Sequence, residues 1–377
     1  MKEDVKVLIT GDFYGGGRTD EFIRNGKHSE LIDESITFLG DNDLTIVNLE
    51  SALIQSGTPI AKTGPAIKAD PLAAKALKTA GFNTITLANN HIMDFGHQGL
   101  IKTIEVCQSE GLDFLGAGLN LEEAAKPLIR KLKGTTIALL NFCENEWSTT
   151  TGNHPGANPL ELIANARTIA SVRSMADFIV VVYHGGNELY SLPSPRLQAT
   201  CRFFVDSGAN LVACHHAHYY SGFETYNNGH IFYGLGNFIF DNPRFRSSKW
   251  NKGLALQFRI AADGSHDFNL FPFIQSDELP GLRMTTRTEK GEFEDSIAEL
   301  NKIIGNQDAL ALEFDRFCRR SEKQYLNYLQ PYSNRVLNAL YKRGLLPSLL
   351  TSDKKRLYNN LIRCEAHRDV ILNILKK

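Results

Sequence analysis

The feature that most constrains the fold is residues 177–183, the most hydrophobic strand-like run in the chain. A continuous apolar run of this length is typical of a β-strand that is buried on both faces. Predicted helices flank it at residues 160–175 and 195–208. Apolar strands that alternate with helices predict an α/β protein with parallel strands.

Polar side chains that can bind metals follow five predicted strands, each at the point where the strand ends. They are Asp12, Glu50, Asn90 with His91, His184, and the cluster His215, His216 and His218. Parallel α/β sheets collect the residues of their strand ends at one edge, so we expect these side chains to meet there. Carboxylates, an amide oxygen and imidazoles suit a divalent metal, Mn, Fe or Zn, bound as one ion or as two ions bridged by a carboxylate.

Residues 215–218 contain three histidines in four positions, directly after a predicted buried strand. Imidazole is the commonest protein ligand of transition metals, which favours a metal site. The alternative interpretation is a polar loop whose histidines bind backbone groups. The neighbouring Cys214 is interpreted as a small core residue rather than as a ligand.

The composition fits an ordinary soluble globular protein, with 42% hydrophobic residues, 22% charged residues and a formal net charge of −1. This balance creates no field that would recruit nucleic acid. The N-terminus has no signal-peptide pattern, and no apolar run approaches the ~20 residues of a membrane helix. The six dispersed cysteines are interpreted as reduced thiols. We therefore expect a cytoplasmic protein, with a membrane-peripheral location as the alternative.

Two domains are predicted, one at residues 1–278 and a helical, basic C-terminal region at residues 285–377. Residues 313–377 contain fourteen Lys and Arg against six Asp and Glu. One interpretation is a helical appendage with a solvated basic face. The other is a surface that contacts an anionic membrane or an acidic partner. Residues 144–159 form a long polar connection, which is typical of a functional lid.

Six short blocks contain the polar strand ends and their neighbours. In chain order they are Gly11-Asp12, Asn48-Leu49-Glu50, Asn89-Asn90-His91 with Asp94, His184-x-Gly186-x-Glu188, His215-His216-x-His218, and Gly234-Leu235-Gly236-Asn237-Phe238. Together they resemble the capsule-synthesis CapA family, over roughly residues 5–245. That family is linked to poly-γ-glutamate and capsule production and belongs to the calcineurin-like metallophosphoesterase superfamily.

The resemblance implies a calcineurin-like α/β sandwich of two mixed β-sheets flanked by helices, with the helical C-terminal region as an appendage. It also implies a set of metal ligands. They are Asp12 and His218 for a first ion, Asn90, His184 and His216 for a second ion, and Glu50 as a bridge between both. His215 is expected to be a spare ligand or to lie behind the ligands.

The same resemblance places His91 and Asp94 in the catalytic group, with His91 as general acid or transition-state stabiliser. The alternative is a purely structural hydrogen bond between these two side chains. The chain also departs from the superfamily pattern, because Tyr14 stands where a histidine ligand of the first ion is usual. Glu50 replaces the usual bridging aspartate and is longer by one methylene. A single ion, or a weak first site, is therefore an alternative to a two-metal centre.

Three further residues are predicted near the substrate. Arg18 and Lys62 are expected to bind an anionic substrate, and the alternative for each is an ordinary surface charge. Glu188 is expected to contact the substrate or to orient His184, since a ligating histidine usually donates its second N–H to an acceptor.

The first functional hypothesis is a metal-dependent hydrolase of the phosphoesterase type that acts in capsule, poly-γ-glutamate or exopolysaccharide synthesis. Its substrate would be a small phosphoester or an anionic polymer, cleaved at a phosphoester, amide or ester bond, with no nucleic acid involved. The alternative is a non-catalytic auxiliary protein that binds polymer in a capsule or exopolymer assembly machine. A nucleotide-binding regulator is disfavoured, because the GxGxxG and GxxxxGK[ST] motifs are absent.

Overall fold

The computed structural model describes residues 2–62, 64–332 and 334–363. The strands, in chain order, are β1 Val5–Tyr14, β2 Leu44–Leu49, β3 Ala52–Leu53, β4 Lys68–Ala69, β5 Thr84–Thr86, β6 Asp113–Leu115, β7 Ala117–Gly118, β8 Leu128–Leu132, β9 Thr135–Cys143, β10 Gly156–Ala157, β11 Phe178–His184, β12 Leu211–His215, β13 Phe223–Tyr226, β14 Gly229–Phe232, β15 Asn237–Phe240, β16 Lys252–Ile260, β17 His266–Gln275 and β18 Leu282–Met284.

The helices in the same order are α1 Arg18–Arg24, α2 Leu72–Thr79, α3 Gly96–Ser109, α4 Leu121–Ala124, α5 Leu162–Val172, α6 Pro195–Asp206, α7 Arg287–Ile304, α8 Gln307–Tyr328, α9 Arg335–Lys342 and α10 Ser352–Arg363. Short 3-10 turns cover His28–Leu31 and Lys249–Asn251. Local sequence signals set several helix starts. The Ser194 side chain accepts from the Leu197 N–H at the start of α6, where Pro195 takes the first helical position.

Two large mixed sheets form the first part of the chain. The eight-stranded sheet has the order β18-β17-β16-β1-β2-β5-β6, and β15 also pairs with β1. The six-stranded sheet has the order β13-β14-β12-β11-β9-β8. Parallel pairs occupy the middle of each sheet, for example β1 with β2 and β11 with β12, and antiparallel pairs lie toward the edges. The predicted α/β architecture of two mixed sheets with flanking helices is confirmed.

The strand β11 shows why the sheets stack as they do. Val180 and Val182 join a core cluster with residues of β1 and β16, whereas Ile179 and Val181 join a separate cluster with residues of α5 and α6. One face of β11 therefore packs toward the eight-stranded sheet, and the other packs under helices. This double burial agrees with the unbroken apolar run that the sequence shows at residues 177–183.

The chain divides into two compact units, Met1–Ala311 and Leu312–Lys377. This division lies beyond the predicted domain end at residue 278, because α7 belongs to the first unit. Phe293 and Ile304 of α7 are fully buried in its core, and the Phe293 ring stacks on Tyr220 with 4.7 Å between centroids. Together with Ile297 and Leu300 they lie at positions i, i+4, i+7 and i+11 of α7, which is one apolar side of a helix. This spacing indicates an amphipathic helix, but it does not indicate that the sheets of the first unit cover its apolar side.

In the second unit the described residues include α9, α10 and the loops around them. The Gln330 amide donates to the Tyr341 hydroxyl at 3.0 Å and to the Ser348 hydroxyl at 2.9 Å. Part of the predicted basic region, residues 364–377, lies outside the described residues. No helix in the described part of the chain is both long and apolar enough to cross a membrane.

Gly11 is a position where the fold depends on the absence of a side chain. A Cβ there would lie 1.9 Å from the carbonyl oxygen of Gly236, at the point where β1 meets β15. We predict that Gly11→Ala lowers the free energy of unfolding by about 1–3 kcal/mol in urea denaturation, because backbone must move to relieve the overlap. The control Gly291→Ala lies in α7, where an added Cβ meets no atom within 4 Å. It should raise stability by about 0.5–1 kcal/mol. Equal stability of Gly11→Ala and the natural chain would contradict the close approach.

Candidate metal centre

The ends of parallel strands from both sheets meet at one place. Asp12 of β1 lies opposite Asn48 of β2 in the eight-stranded sheet. His184 of β11 lies opposite His215 of β12 in the six-stranded sheet. Glu50 directly follows β2, and the loop after β5 carries the Asn89 to His91 block. Strand ends thus deliver the polar side chains, as the sequence predicted.

Two groups of buried side chains have donor atoms within 4.8 Å of one another, and Glu50 belongs to both. The groups are Asp12, Glu50 and His218, and Glu50, His184 and His216. The Glu50 Oε1 atom lies 3.8 Å from His184 Nε2 and 3.8 Å from His218 Nε2. These groups could each hold a metal ion, with Glu50 shared between them.

The second group gains a further donor from the loop after β5. The Asn90 Oδ1 atom lies 3.1 Å from His184 Nε2, and His216 Nδ1 lies 3.1 Å from the same nitrogen. An amide oxygen, two imidazole nitrogens and a carboxylate oxygen therefore converge. Mixed nitrogen and oxygen donors of this kind suit Mn, Fe or Zn.

The surroundings of Glu50 indicate whether this arrangement fits a cation. Its side chain is fully buried, and neither carboxylate oxygen has a hydrogen-bond partner among the described residues. Burial, followed by the charges of Asp12 and Glu188, raises the pKa of Glu50 well above its ordinary value. An unpaired buried carboxylate is costly unless a cation compensates it. The donor set therefore fits a divalent ion, which would supply the missing partner.

His184 and His218 are held in the neutral form that metals require. Burial, then the neighbouring His216, lowers the pKa of His184 well below its ordinary value, so its ring stays neutral. Burial also lowers the pKa of His218. The His218 Nδ1 atom lies 2.9 Å from Asn237 Oδ1 and donates to it, which leaves Nε2 directed at Glu50. This is the usual way in which a ligating imidazole is oriented.

The turn after β12 fixes His216 and His218 in unusual backbone conformations. Their φ angles are +88° and +57°, in the left-handed region that side chains rarely adopt. Such strain persists only where surrounding contacts impose it, and it is concentrated at functional sites. The His216 N–H donates to Asp12 Oδ2 at 3.1 Å, and Asp12 Oδ1 accepts from the Asn48 amide at 2.7 Å.

A second chain of contacts lies beside the two donor groups. The His91 Nδ1 atom is 2.6 Å from Asp94 Oδ2, and its Nε2 is 4.0 Å from Glu50 Oε1. Asp94 also accepts from the Ile67 N–H at 2.8 Å and forms an ion pair with Lys62. The Lys62 side chain is only 4% exposed, so it is not a surface charge. Asp94 neutralises it, and Lys62 supports the His91 and Asp94 pair.

The structure places the remaining predicted residues outside the two donor groups. His215 Nε2 donates to the Thr10 carbonyl at 2.9 Å, behind the ligands. Glu188 is exposed, and the polar neighbours of His184 are instead Asn48, Asn90 and His216. The Tyr14 ring packs against Phe240 with 4.9 Å between centroids. The first donor group therefore has one imidazole, as the sequence departure suggested.

Arg18 contacts protein groups rather than open space. Its guanidinium forms two-point hydrogen bonds with Asp241 and donates to the carbonyls of Ser276, Asp277 and Glu278. Burial opposes ionisation of Asp241, but the hydrogen bonds and charge of Arg18 lower the pKa of that carboxyl below its ordinary value. Arg18 thus fastens α1 to the loop after β17, and the expectation that it binds substrate has no support in these contacts.

Three residues that contact the ligands have no role predicted from the sequence. Asn48 and Asn237 lie inside the quoted blocks, and each hydrogen bonds to a donor side chain. Their position in those blocks is the signal from which a role at the site could have been inferred. Glu146 lies in the predicted lid, and its Oε1 is 3.7 Å from His216 Nε2. Nothing local in the sequence distinguishes Glu146 from other acidic loop residues.

Two mixed sheets that bring carboxylate and imidazole donors together at their strand ends define a metallophosphoesterase-like fold. The chain belongs to the bacterial capsule synthesis protein family PGA_cap, whose sequence model matches residues 6–242. The family expected from the six sequence blocks is therefore confirmed.

Several relatives are similar over part of their length. The capsule biosynthesis protein CapA of Bacillus anthracis is 28% identical over 281 residues, which cover 72% of this chain and 67% of that protein. The PGA biosynthesis protein CapA of Bacillus subtilis is 33% identical over 211 residues, 55% of each chain. A probable polyglutamine synthesis accessory protein of Mycobacterium tuberculosis is 25% identical over 213 residues, 53% of this chain and 56% of that protein. The chain thus spans about half to two thirds of the length of these relatives.

Among solved structures, a hypothetical protein from Thermus thermophilus aligns with 71% of this chain and 99% of its own, at a TM-score of 0.43 and 12% identity.

The shared carboxylate gives a direct test of ion binding. We predict that Mn²⁺ or Zn²⁺ at 100 times its Kd stabilises the natural chain by about 2.7 kcal/mol, measured by thermal unfolding. Glu50→Gln should abolish most of this stabilisation, because both donor groups lose their common ligand. The exposed Glu299→Gln on α7 is the matched control and should retain it. An equal response of Glu50→Gln and the natural chain to the ions would contradict the assignment.

The Arg18 contacts predict a structural rather than a functional phenotype. The Asp241 side chain is 1% exposed, so Arg18→Met leaves a buried carboxylate without its cation. We expect the free energy of unfolding to fall by about 3 kcal/mol in urea denaturation. The exposed pair of Arg259 with Asp267 is the control, and Arg259→Met should leave the unfolding midpoint close to that of the natural chain. A stable Arg18→Met protein with weakened substrate binding would restore the substrate hypothesis.

Proposed function

We propose that this chain is a metal-dependent hydrolase of the phosphoesterase type that acts in the synthesis of capsule or poly-γ-glutamate. The biological setting is supported by membership of the capsule synthesis family and by the names of the Bacillus relatives, which are capsule and PGA biosynthesis proteins. The reaction type is supported by the donor groups and by the residues beside them. The chain matches only part of the length of its relatives, so the activity of the whole protein is part of what we propose.

The observation that carries the proposal is the buried Glu50 carboxylate. Its two oxygens have no hydrogen-bond partner in the described part of the chain, and donors from both sheets surround it. A structural role in the absence of a cation would leave this charge uncompensated. A divalent ion held there would polarise a phosphoryl or carbonyl oxygen and lower the pKa of a water molecule.

The chain supplies a proton donor next to this centre. The contact of His91 Nδ1 with Asp94 orients the ring, so that Nε2 lies 4.0 Å from Glu50 Oε1. His91 would hold a proton at Nε2 and transfer it to the leaving group, as a general acid. Asp94 stabilises the protonated ring, and Lys62 balances the charge of Asp94. This buried triad argues against a His91 that only fills space.

The two donor groups are unequal, which affects the number of ions. The group of His184 and His216 also has Asn90, whereas the group of Asp12 has only His218 as an imidazole donor. Tyr14 does not replace the missing histidine, because its ring packs against Phe240. We therefore propose one firmly held ion beside His184 and a second, weaker site beside His218.

A second candidate function is a non-catalytic auxiliary protein that binds a capsule or exopolymer chain. The observation that favours it is the description of the Mycobacterium tuberculosis relatives as synthesis accessory proteins. The sparse first donor group is compatible with a centre that binds without turnover. The two candidates differ in one measurable property, which is metal-dependent bond cleavage.

The hydrolase proposal is tested with aryl phosphomonoesters, aryl phosphodiesters and a γ-glutamyl anilide in the presence of Mn²⁺. We predict that His91→Asn lowers kcat by about 10²- to 10⁴-fold, because the proton donor is lost, while the bound metal content stays constant. The matched control is His97→Asn, an exposed histidine on α3 that should leave kcat unchanged.

His184→Ala separates the two candidates. If His184→Ala loses both the bound metal and the turnover of the natural chain, the hydrolase is supported. If the natural chain binds metal but cleaves no substrate, and if it binds poly-γ-glutamate as well as His91→Asn does, the auxiliary protein is favoured. Absence of metal from the natural chain after incubation with Mn²⁺, Zn²⁺ or Fe²⁺ would rule out the proposed centre.

A further inference from the structure

The second unit contains a strongly basic stretch that the metal centre does not use. Residues 334–362, called the basic segment below, carry six Lys and Arg and a single acidic residue, Asp353. Asp353 forms an ion pair with Arg356. The formal charge of this segment is +5, whereas the whole chain carries −1. This segment of about 30 residues therefore has a strong positive net charge in a chain that is close to neutral.

The same segment exposes large apolar side chains. They are Val336, Leu337, Leu345, Leu349, Leu357 and Ile362, with exposed fractions between 41% and 66%. Single exposed apolar residues are ordinary, but six within one short basic segment are not. Their exposure is unfavourable in water, which points to a partner that covers them.

The apolar residues have helical spacing. In α9, Val336, Leu337, Leu340 and Tyr341 lie at positions i, i+1, i+4 and i+5, which is one side of a helix. Arg335 and Lys342 fall on the other side by the same spacing. This pattern is that of a helix that lies along an interface between an apolar and an aqueous phase.

The helix α10 has the same apolar spacing, but its basic residues are placed differently. Leu357, Tyr358, Leu361 and Ile362 again occupy i, i+1, i+4 and i+5. Lys354 lies on the same side one turn earlier, at the start of the helix, whereas Arg356 lies on the opposite side. Lys354, Lys355 and Arg356 are all exposed. Basic and apolar groups are thus combined twice in succession, with no acidic residue but Asp353 in either helix.

We propose that the basic segment binds the surface of a bilayer that contains anionic phospholipid, with α9 and α10 lying in the headgroup region. The basic side chains match the negative headgroups, and the exposed Leu, Ile and Val side chains enter the acyl boundary. A soluble polyanion would match the charge but would leave the apolar residues in water. The lipid surface is therefore the occupant that accounts for both observations. This proposal is independent of the proposed metal chemistry.

The test uses the full chain and phospholipid vesicles in co-sedimentation at about 0.15 M salt, where surface charges are partly screened. Vesicles of phosphatidylcholine with phosphatidylglycerol, as a roughly 30% anionic surface, should bind the natural chain, and pure phosphatidylcholine should not. Lys354→Gln with Lys355→Gln should weaken partitioning by about 30-fold, because each basic residue near an anionic surface contributes about five-fold. The control Lys75→Gln with Lys302→Gln changes two exposed lysines of the first unit and should leave partitioning unchanged.

The apolar contribution is tested separately. Val336→Ser, Leu337→Ser and Leu357→Ser in one chain should reduce partitioning by more than about ten-fold, because apolar burial is lost. The control changes three exposed apolar residues of the first unit, Ile163→Ser, Met175→Ser and Leu279→Ser, and should bind as the natural chain does. All these positions are exposed, so folding is preserved and is checked by circular dichroism.

Two results would overturn the proposal. In the first, soluble poly-γ-glutamate displaces the protein completely from the vesicles, and the serine substitutions do not weaken its binding to the protein. This result would identify an acidic polymer as the partner. The other is equal binding of the natural chain to anionic and neutral vesicles, or to neither. Hydrolytic activity in solution plays no part in either outcome, so failure here leaves the proposed metal chemistry intact.

Discussion

The constraint on which the first unit depends is the burial of one carboxylate, Glu50, where two sheets meet. A buried charge without a partner opposes folding, and here the nearest groups are a second carboxylate, Asp12, and the imidazoles of three histidines. The hydrogen bonds of Asn48 and Asn237 hold these neighbours in place. This arrangement is unfavourable in the folded protein without a counter-charge, and a cation bound there would relieve that cost. Strained turns at His216 and His218 belong to the same arrangement.

The positions of several donor residues could be predicted from the sequence, because the ends of parallel strands follow a simple rule. An apolar run ends at a residue, and the topology of parallel strands brings that residue to the shared edge. Asp12, Glu50 and His184 needed only this rule. The contacts of Lys62 and Arg18 could not be predicted in this way, because long flexible side chains reach partners in distant parts of the chain. The partners Asp94 and Asp241 lie 32 and 223 residues away, respectively, and no local pattern indicates them.

The end of the first unit was hard to predict for a related reason. In the helix α7, the apolar residues Phe293, Ile297, Leu300 and Ile304 have helical spacing, but this pattern does not indicate which part of the chain covers them. The basic segment shows the opposite case, since its repeated apolar spacing was visible in sequence and remains exposed in the structure. Patterning thus indicates amphipathic helices, while tertiary contacts decide whether an apolar face is covered by the same chain.

The wide spacing of the ligands along the chain has a consequence for the order of folding events. The donor groups join residues 12, 50, 184, 216 and 218, so the chain between them must be organised before the donors can converge. Contacts of such large sequence separation form late, because the entropy of closing long loops is lost first. An ion bound by these donors would therefore stabilise the protein only after the main barrier to folding has been crossed. It should prolong the lifetime of the folded state and leave the rate at which the chain first collapses unchanged.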